Sequence, residues 1–75
     1  MNTLDKYLSK TREEILYLLG TPNKIGGASR KYRTPMIYSY EGVEYHFQPW
    51  KNGECVMIFD NNTHKVLAKK EMIDE

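Results

Sequence analysis

Seventy-five residues make a single domain, and a chain this short buries only about 60% of its unfolded surface, which leaves little room for an enclosed active-site cavity. With 40% apolar residues, six tyrosines, two phenylalanines and one tryptophan, the composition excludes a disordered chain, and the single cysteine, Cys55, excludes an intramolecular disulfide. The net charge of +1 is too small for a general attraction to polyanions.

The chain opens on Leu4, Tyr7 and Leu8, spaced as one face of a short helical segment. KTREEILYLLGTP follows. Thr11 and Glu14 form the capping-box pattern, in which the hydroxyl accepts from a backbone N–H three residues on and the carboxylate reaches back. Glu13 and Glu14 also suit the positive end of a helix dipole. Gly20 and Pro22 stop the helix, so the pattern predicts a helix over 12–19 with Ile15, Leu18 and Leu19 facing inward and Leu16 widening that face.

Residues 21–35 read as a loop punctuated by glycine and proline, with a short strand near Arg30–Arg33 as an option. After Pro35 the period changes to two. MIYSYE reads as a strand, Gly42 as a turn, and VEYHFQ as a second strand with Val43, Tyr45 and Phe47 on one face. PWKNG is a turn, ECVMIFD is apolar on both faces, DNNTH is another turn, and KVLAKK is polar enough for an edge strand. The expected fold is α+β: one or two N-terminal helices on a three- to four-stranded antiparallel meander. It is divided into a helical part at 3–20, a loop at 21–35, a sheet at 36–70 and an acidic tail at 71–75.

MNTLDKYLSK lacks the apolar run of a signal peptide, and no window approaches the roughly 20 apolar residues that span a bilayer. With one unpaired cysteine, these features point to a cytoplasmic protein without a membrane partner.

Charge is unevenly distributed. From Ile15 through Tyr40 there is no acid, while Lys24, Arg30, Lys31 and Arg33 bring +4; the rest, with seven cations and ten acids, carries −3. Gly26, Gly27 and Ser29 could expose backbone N–H groups beside these cations. The stretch lacks the lysine spacing of a P-loop. Three readings of it stand: a solvated connection, a patch for an acidic protein surface, or a nucleic-acid contact. Six aromatics fall between Tyr32 and Trp50, and exposed Tyr, Trp and Arg are the usual composition of a binding hot spot. The candidate partner-binding set is Arg30, Lys31, Tyr32, Arg33, Tyr38, Tyr40 and Trp50. A thiol dyad of Cys55 and His46 is disfavoured by the apolar strand around Cys55. His46 and His64, with one cysteine, match no compact zinc spacing. No catalytic, metal or cofactor site is assigned.

Thr11, Glu14, Ile15, Leu19, Gly20 and Pro22 match a T-x-x-E-[IV]-x-x-x-L-G-x-P pattern, and with the tyrosine-rich strand and the strand pair after it the chain resembles the SmpA/OmlA domain and related β-lactamase-inhibitor-like folds. GGASRKYRTP and YEGVEYHF are also similar to small bacterial proteins with an LGxP…SRKY…EFHF pattern. Together the likenesses cover about residues 9–68. They imply a helix–helix–meander fold and a non-catalytic domain that binds another protein, sometimes as an inhibitor.

The expected function is therefore that of a small protein-binding module of inhibitor or immunity type, acting sterically on a larger bacterial or phage protein with an acidic, partly apolar surface. The alternative is nucleic-acid binding through the basic loop and exposed tyrosines. Edge-strand pairing into a homodimer is open at KVLAKK.

Overall fold

The computed structural model describes residues 3–70, so the acidic tail at 71–75 lies outside the described residues. A 3-10 helix at Thr3–Tyr7 precedes α1 at Arg12–Leu19. Both halves of the capping box form: the Glu14 N–H donates to the Thr11 hydroxyl at 3.3 Å, and the Thr11 N–H donates to the Glu14 carboxylate at 2.9 Å. Gly20 ends the helix at φ 84°, a conformation that disfavours residues bearing a Cβ.

Five antiparallel strands follow: β1 at Lys24–Gly26, β2 at Ile37–Tyr40, β3 at Val43–Phe47, β4 at Cys55–Asp60 and β5 at Val66–Lys69. Each pairs with its sequence neighbour in the order β1-β2-β3-β4-β5. The α+β class with an antiparallel meander is as expected, but the sheet has five strands rather than three or four. The extra one, β1, comes from the segment read as loop, and Arg30–Arg33 forms a turn rather than a strand. KIG carries no alternation that would have revealed it. Its pairing with Ile37–Ser39 is what makes it a strand.

A two-residue turn at Glu41-Gly42 pairs Tyr40 with Val43, which in turn sets Tyr38 opposite Tyr45. Tyr45 pairs with Ile58, and Ile58 with Ala68. This row faces the N-terminal segments and forms the core with Ile15, Phe47 and Cys55, while Leu4, Tyr7, Leu8 and Leu19 close over it. Ile15, Cys55 and Ile58 are fully buried. Shortening Ile58 to Ala would cost about 2–5 kcal/mol by the usual transfer and cavity terms. The opposite face carries Ser39, Glu44, His46, Met57 and Phe59, all partly exposed.

The inward line of α1 is Arg12, Ile15 and Leu19, spaced i, i+3, i+7, and Leu18 is half exposed instead of buried. Ser9 and Lys10 pair with the start of β4: the Ser9 N–H donates to the Cys55 carbonyl at 2.8 Å, and the Cys55 N–H to the Lys10 carbonyl at 2.7 Å. This fixes the N-terminus of α1 beside the β3–β4 connection and aims Arg12 at it.

Candidate functional site

Arg12 occupies the first position of α1, yet only 5% of its surface is exposed. Its guanidinium lies over the Phe47 ring, 5.6 Å from the centroid. Nη1 donates to the carbonyls of Trp50 at 2.6 Å and Lys51 at 3.0 Å, Nε donates to the Pro35 carbonyl, and Nη2 to the Gln48 carbonyl. Nη2 also stands 3.5 Å from the Thr34 hydroxyl, which itself donates to the Pro49 carbonyl. Only a planar fork of donors can serve acceptors spread this way. No carboxylate pairs with Arg12 among the described residues. Burial depresses its pKa, and the nearby Tyr38 opposes that shift. The cost of withdrawing the charge from water is offset by the carbonyl dipoles, with the Phe47 ring face beside them.

Arg12 thus ties two surface segments together. The first spans residues 29–35 and is closed by its own hydrogen bonds. The Ser29 N–H donates to the Thr34 carbonyl at 2.9 Å, the Arg33 N–H to the Ser29 carbonyl at 2.8 Å, and the Tyr32 N–H to the Ser29 hydroxyl at 3.2 Å. Arg33 sits at φ 57°, an uncommon conformation for a residue with a side chain. Lys31 Nζ stands 5.4 Å from the Tyr32 ring centroid.

The second segment, residues 48–53, connects β3 to β4. The Gln48 N–H donates to the Glu54 carbonyl and the Gly53 N–H to the Trp50 carbonyl, both at 2.9 Å. Gly53 is required by space: a Cβ there would lie 2.2 Å from the Gln48 carbonyl oxygen.

What the two segments expose is a mixed cationic and aromatic surface. Arg30, Lys31, Arg33 and Lys51 are exposed, and none forms an ion pair with another described residue. Tyr32 is 43% exposed and Trp50 46%. Of the predicted site residues, Arg30, Lys31, Tyr32, Arg33 and Trp50 are therefore on segments that Arg12 and Thr34 hold together.

Tyr38 is a correction, and Tyr40 is only partly exposed. Tyr38 is 5% exposed and packs edge-on against Phe47 at 5.0 Å. Tyr40 packs edge-on against Tyr45 at 5.5 Å, and its hydroxyl donates to the Gly20 carbonyl at 2.7 Å, which ties the end of α1 to β2. Burial raises the pKa of both phenols. The tight turn after Tyr40 puts both on the same face as Tyr45, with Tyr38 in the core and Tyr40 partly buried against it.

Sequence reading missed Arg12. The available signal was its place three residues before Ile15 and seven before Leu19, on the inward line of the helix.

Cys55 and His46 are not brought together. Cys55 is fully buried on the core face, and burial pushes its thiol up to about 11. His46, between the inward-facing Tyr45 and Phe47, points to the open face, 3.2 Å from Glu44 Oε1 and stacked at a tilt on Phe59. His64 lies in the exposed β4–β5 turn at φ 62°. In the same turn the Asp60 carboxylate accepts from the N–H groups of Asn62 and Thr63, bonds that hold its pKa below the usual carboxylate range. Among the described residues no helix is long and apolar enough to cross a membrane. Compared with family models, with curated proteins and with solved structures, the chain finds no significant match in any of the three.

Proposed function

We propose that this protein is a small non-catalytic binding module that docks through the 29–34 turn and the 48–52 turn on an acidic, partly apolar surface of a larger protein. An inhibitor or immunity-type action by steric cover suits a domain of this size. The observation that carries the reading is the Arg12 fork, which holds both segments in one arrangement before any partner arrives. A preorganised surface loses less conformational entropy on association. Trp50 and Tyr32 supply apolar anchor area, while Arg30, Lys31, Arg33 and Lys51 supply a field that raises the association rate.

Nucleic-acid binding fits less well. That reading relied on exposed tyrosines as stacking platforms, and of these Tyr38 is buried and Tyr40 partly buried, which leaves Tyr32.

The test is capture from a lysate of the native host on immobilised protein, followed by affinity measurement with the purified retained protein. Trp50→Ala is expected to weaken binding about 30-fold at any salt concentration. The Arg30→Ala/Lys31→Ala/Arg33→Ala triple variant is expected to weaken it about tenfold at low salt and clearly less at high salt. A retained protein whose affinity ignores Trp50 would refute the docking surface. A triple-variant loss independent of ionic strength would refute the steering. Steep, salt-dependent binding of an oligo-dT probe, without a protein partner, would replace this reading by the nucleic-acid one.

A further inference from the structure

Helix α1 leaves part of its apolar surface uncovered. Leu16, Tyr17 and Leu18 are consecutive and exposed, Tyr17 by 89% and Leu18 by 51%. A surface helix normally turns its polar side outward. Successive helix side chains point about 100° apart, so the shared patch is Tyr17 with Leu18, which line one hollow, and an exposed apolar patch marks a contact surface.

Two hollows flank Leu18. One is lined by Lys6, Tyr7, Lys10 and Leu18, the other by Lys10, Glu13, Glu14, Tyr17 and Leu18. Their charges differ. The first holds two cations, Lys6 and Lys10, and the second holds two acids, Glu13 and Glu14, with Lys10 on the border the two share.

This pattern selects the occupant. A partner of one charge sign would meet like charge in one of the hollows. A second copy of this chain, turned by a two-fold axis near Leu18, would bring its Lys6 and Lys10 to Glu13 and Glu14, and the reverse, with Leu18 and Tyr17 packed at the centre. Self-complementarity of a single patch is the requirement of an isologous interface.

We propose that the exposed face of α1, with the 3-10 helix beside it, is a homodimer interface. It shares no residue with the 29–34 and 48–52 turns.

Sedimentation equilibrium of the full chain over roughly 1 µM to 1 mM, the range occupied by small transient interfaces, tests this. The wild type is expected to dimerise. Leu18→Glu and, separately, Tyr17→Glu are expected to raise the dissociation constant at least about 30-fold, with unchanged circular dichroism. Because Tyr17 is nearly fully exposed, its variant keeps the test valid if Leu18→Glu perturbs folding. A Lys6→Glu/Lys10→Glu variant and a Glu13→Lys variant should each self-associate weakly, and their mixture should associate more tightly than either alone. A wild type that stays monomeric over the whole range overturns the proposal. So does a dimer that both apolar variants leave intact, or a mixture that binds no better than its components. Amide shifts of Tyr17 and Leu18 that stay constant on dilution overturn it as well.

Discussion

Replacing Arg12 tests whether one buried side chain organises the candidate site. Arg12→Met keeps most of the bulk over Phe47 but removes the donors for the carbonyls of Pro35, Gln48, Trp50 and Lys51. A hydrogen bond to a charged donor contributes about 1.5–3 kcal/mol net of its desolvation, and contributions that share one side chain do not add in full. Carbonyls on surface turns regain water when the donors go, so the net loss is about 3 kcal/mol, near the low end of the cost of removing one partner of a buried charge. At about 4–8 °C per kcal/mol for a domain of this size, the Tm should fall by roughly 12–24 °C. Against a total stability on the order of 5 kcal/mol, that leaves a marginal fold. Urea unfolding followed by circular dichroism gives the free energy, and the slope should be unchanged if the unfolded state is unaffected. Amide exchange at Ser29 and Gly53, whose N–H groups close the two turns, should speed up more than exchange in β3 and β4. Arg12→Lys separates geometry from charge. One ammonium cannot serve acceptors spread over two segments, so its loss should lie within about 1 kcal/mol of that of Arg12→Met. The reasoning fails if Arg12→Met stays within about 0.5 kcal/mol of wild type, or if Arg12→Lys matches wild type.

Other consequences follow from burial and space. The Cys55 thiol titrates near 11 in the fold, against an ordinary value near 9. Between those pH values the unfolded chain gives up this proton while the folded chain keeps it, so stability falls by an amount on the order of 2 kcal/mol; Tyr45, pushed up to about 12, extends the fall toward that pH. Urea midpoints measured from pH 8 to 11 check this, and Cys55→Ala should flatten the pH 9–11 portion. Gly53→Ala places a methyl group 2.2 Å from the Gln48 carbonyl oxygen, whereas Gly26→Ala meets nothing within 4 Å. Thermal melts should show a loss of about 2–4 kcal/mol for the first and within about 0.5 kcal/mol of no change for the second. Thr11→Ala removes the hydroxyl half of the capping box and should cost about 1 kcal/mol by the same measurement.

Much of the fold was legible because its signals are local. The capping box, Gly20 and the alternation in β3 are short-range patterns, and they placed α1 and four strands. Strand β1 was hidden because a three-residue strand has too few positions to show a period, and only its partner makes it one. The fate of Tyr38 and Tyr40 was readable in principle. Once Glu41-Gly42 is taken as a two-residue turn, Tyr38 must face Tyr45 and leaves the surface, with Tyr40 on the same side. The candidate site was less legible. Four cations and two aromatics look like solvated loop residues until something is seen to hold them, and that something, Arg12, reads in sequence as one more exposed charge at a helix start. The orientation of α1 was misjudged for a related reason. With Arg12 on the inward line, the helix is rotated so that Leu18 faces out.

The neighbour-to-neighbour strand order also bears on how the chain folds. Every strand pairing closes a short loop, so the sheet has low contact order and can zip hairpin by hairpin. The contacts of Ser9 and Lys10 with Cys55, and of Arg12 with Gln48, Trp50 and Lys51, instead close loops of roughly forty residues, with a larger entropic cost before they form. The N-terminal segment should therefore join after the hairpins. The kinetic signature is a φ-value near zero for Thr11→Ala and a substantially higher one for Tyr45→Phe or Ile58→Val, provided each shifts stability enough to measure. Equal values in both regions would mean that the helix docks while the sheet forms. If the order holds, the turns that carry Tyr32 and Trp50 take their final arrangement only in the last step of folding, when the guanidinium arrives between them.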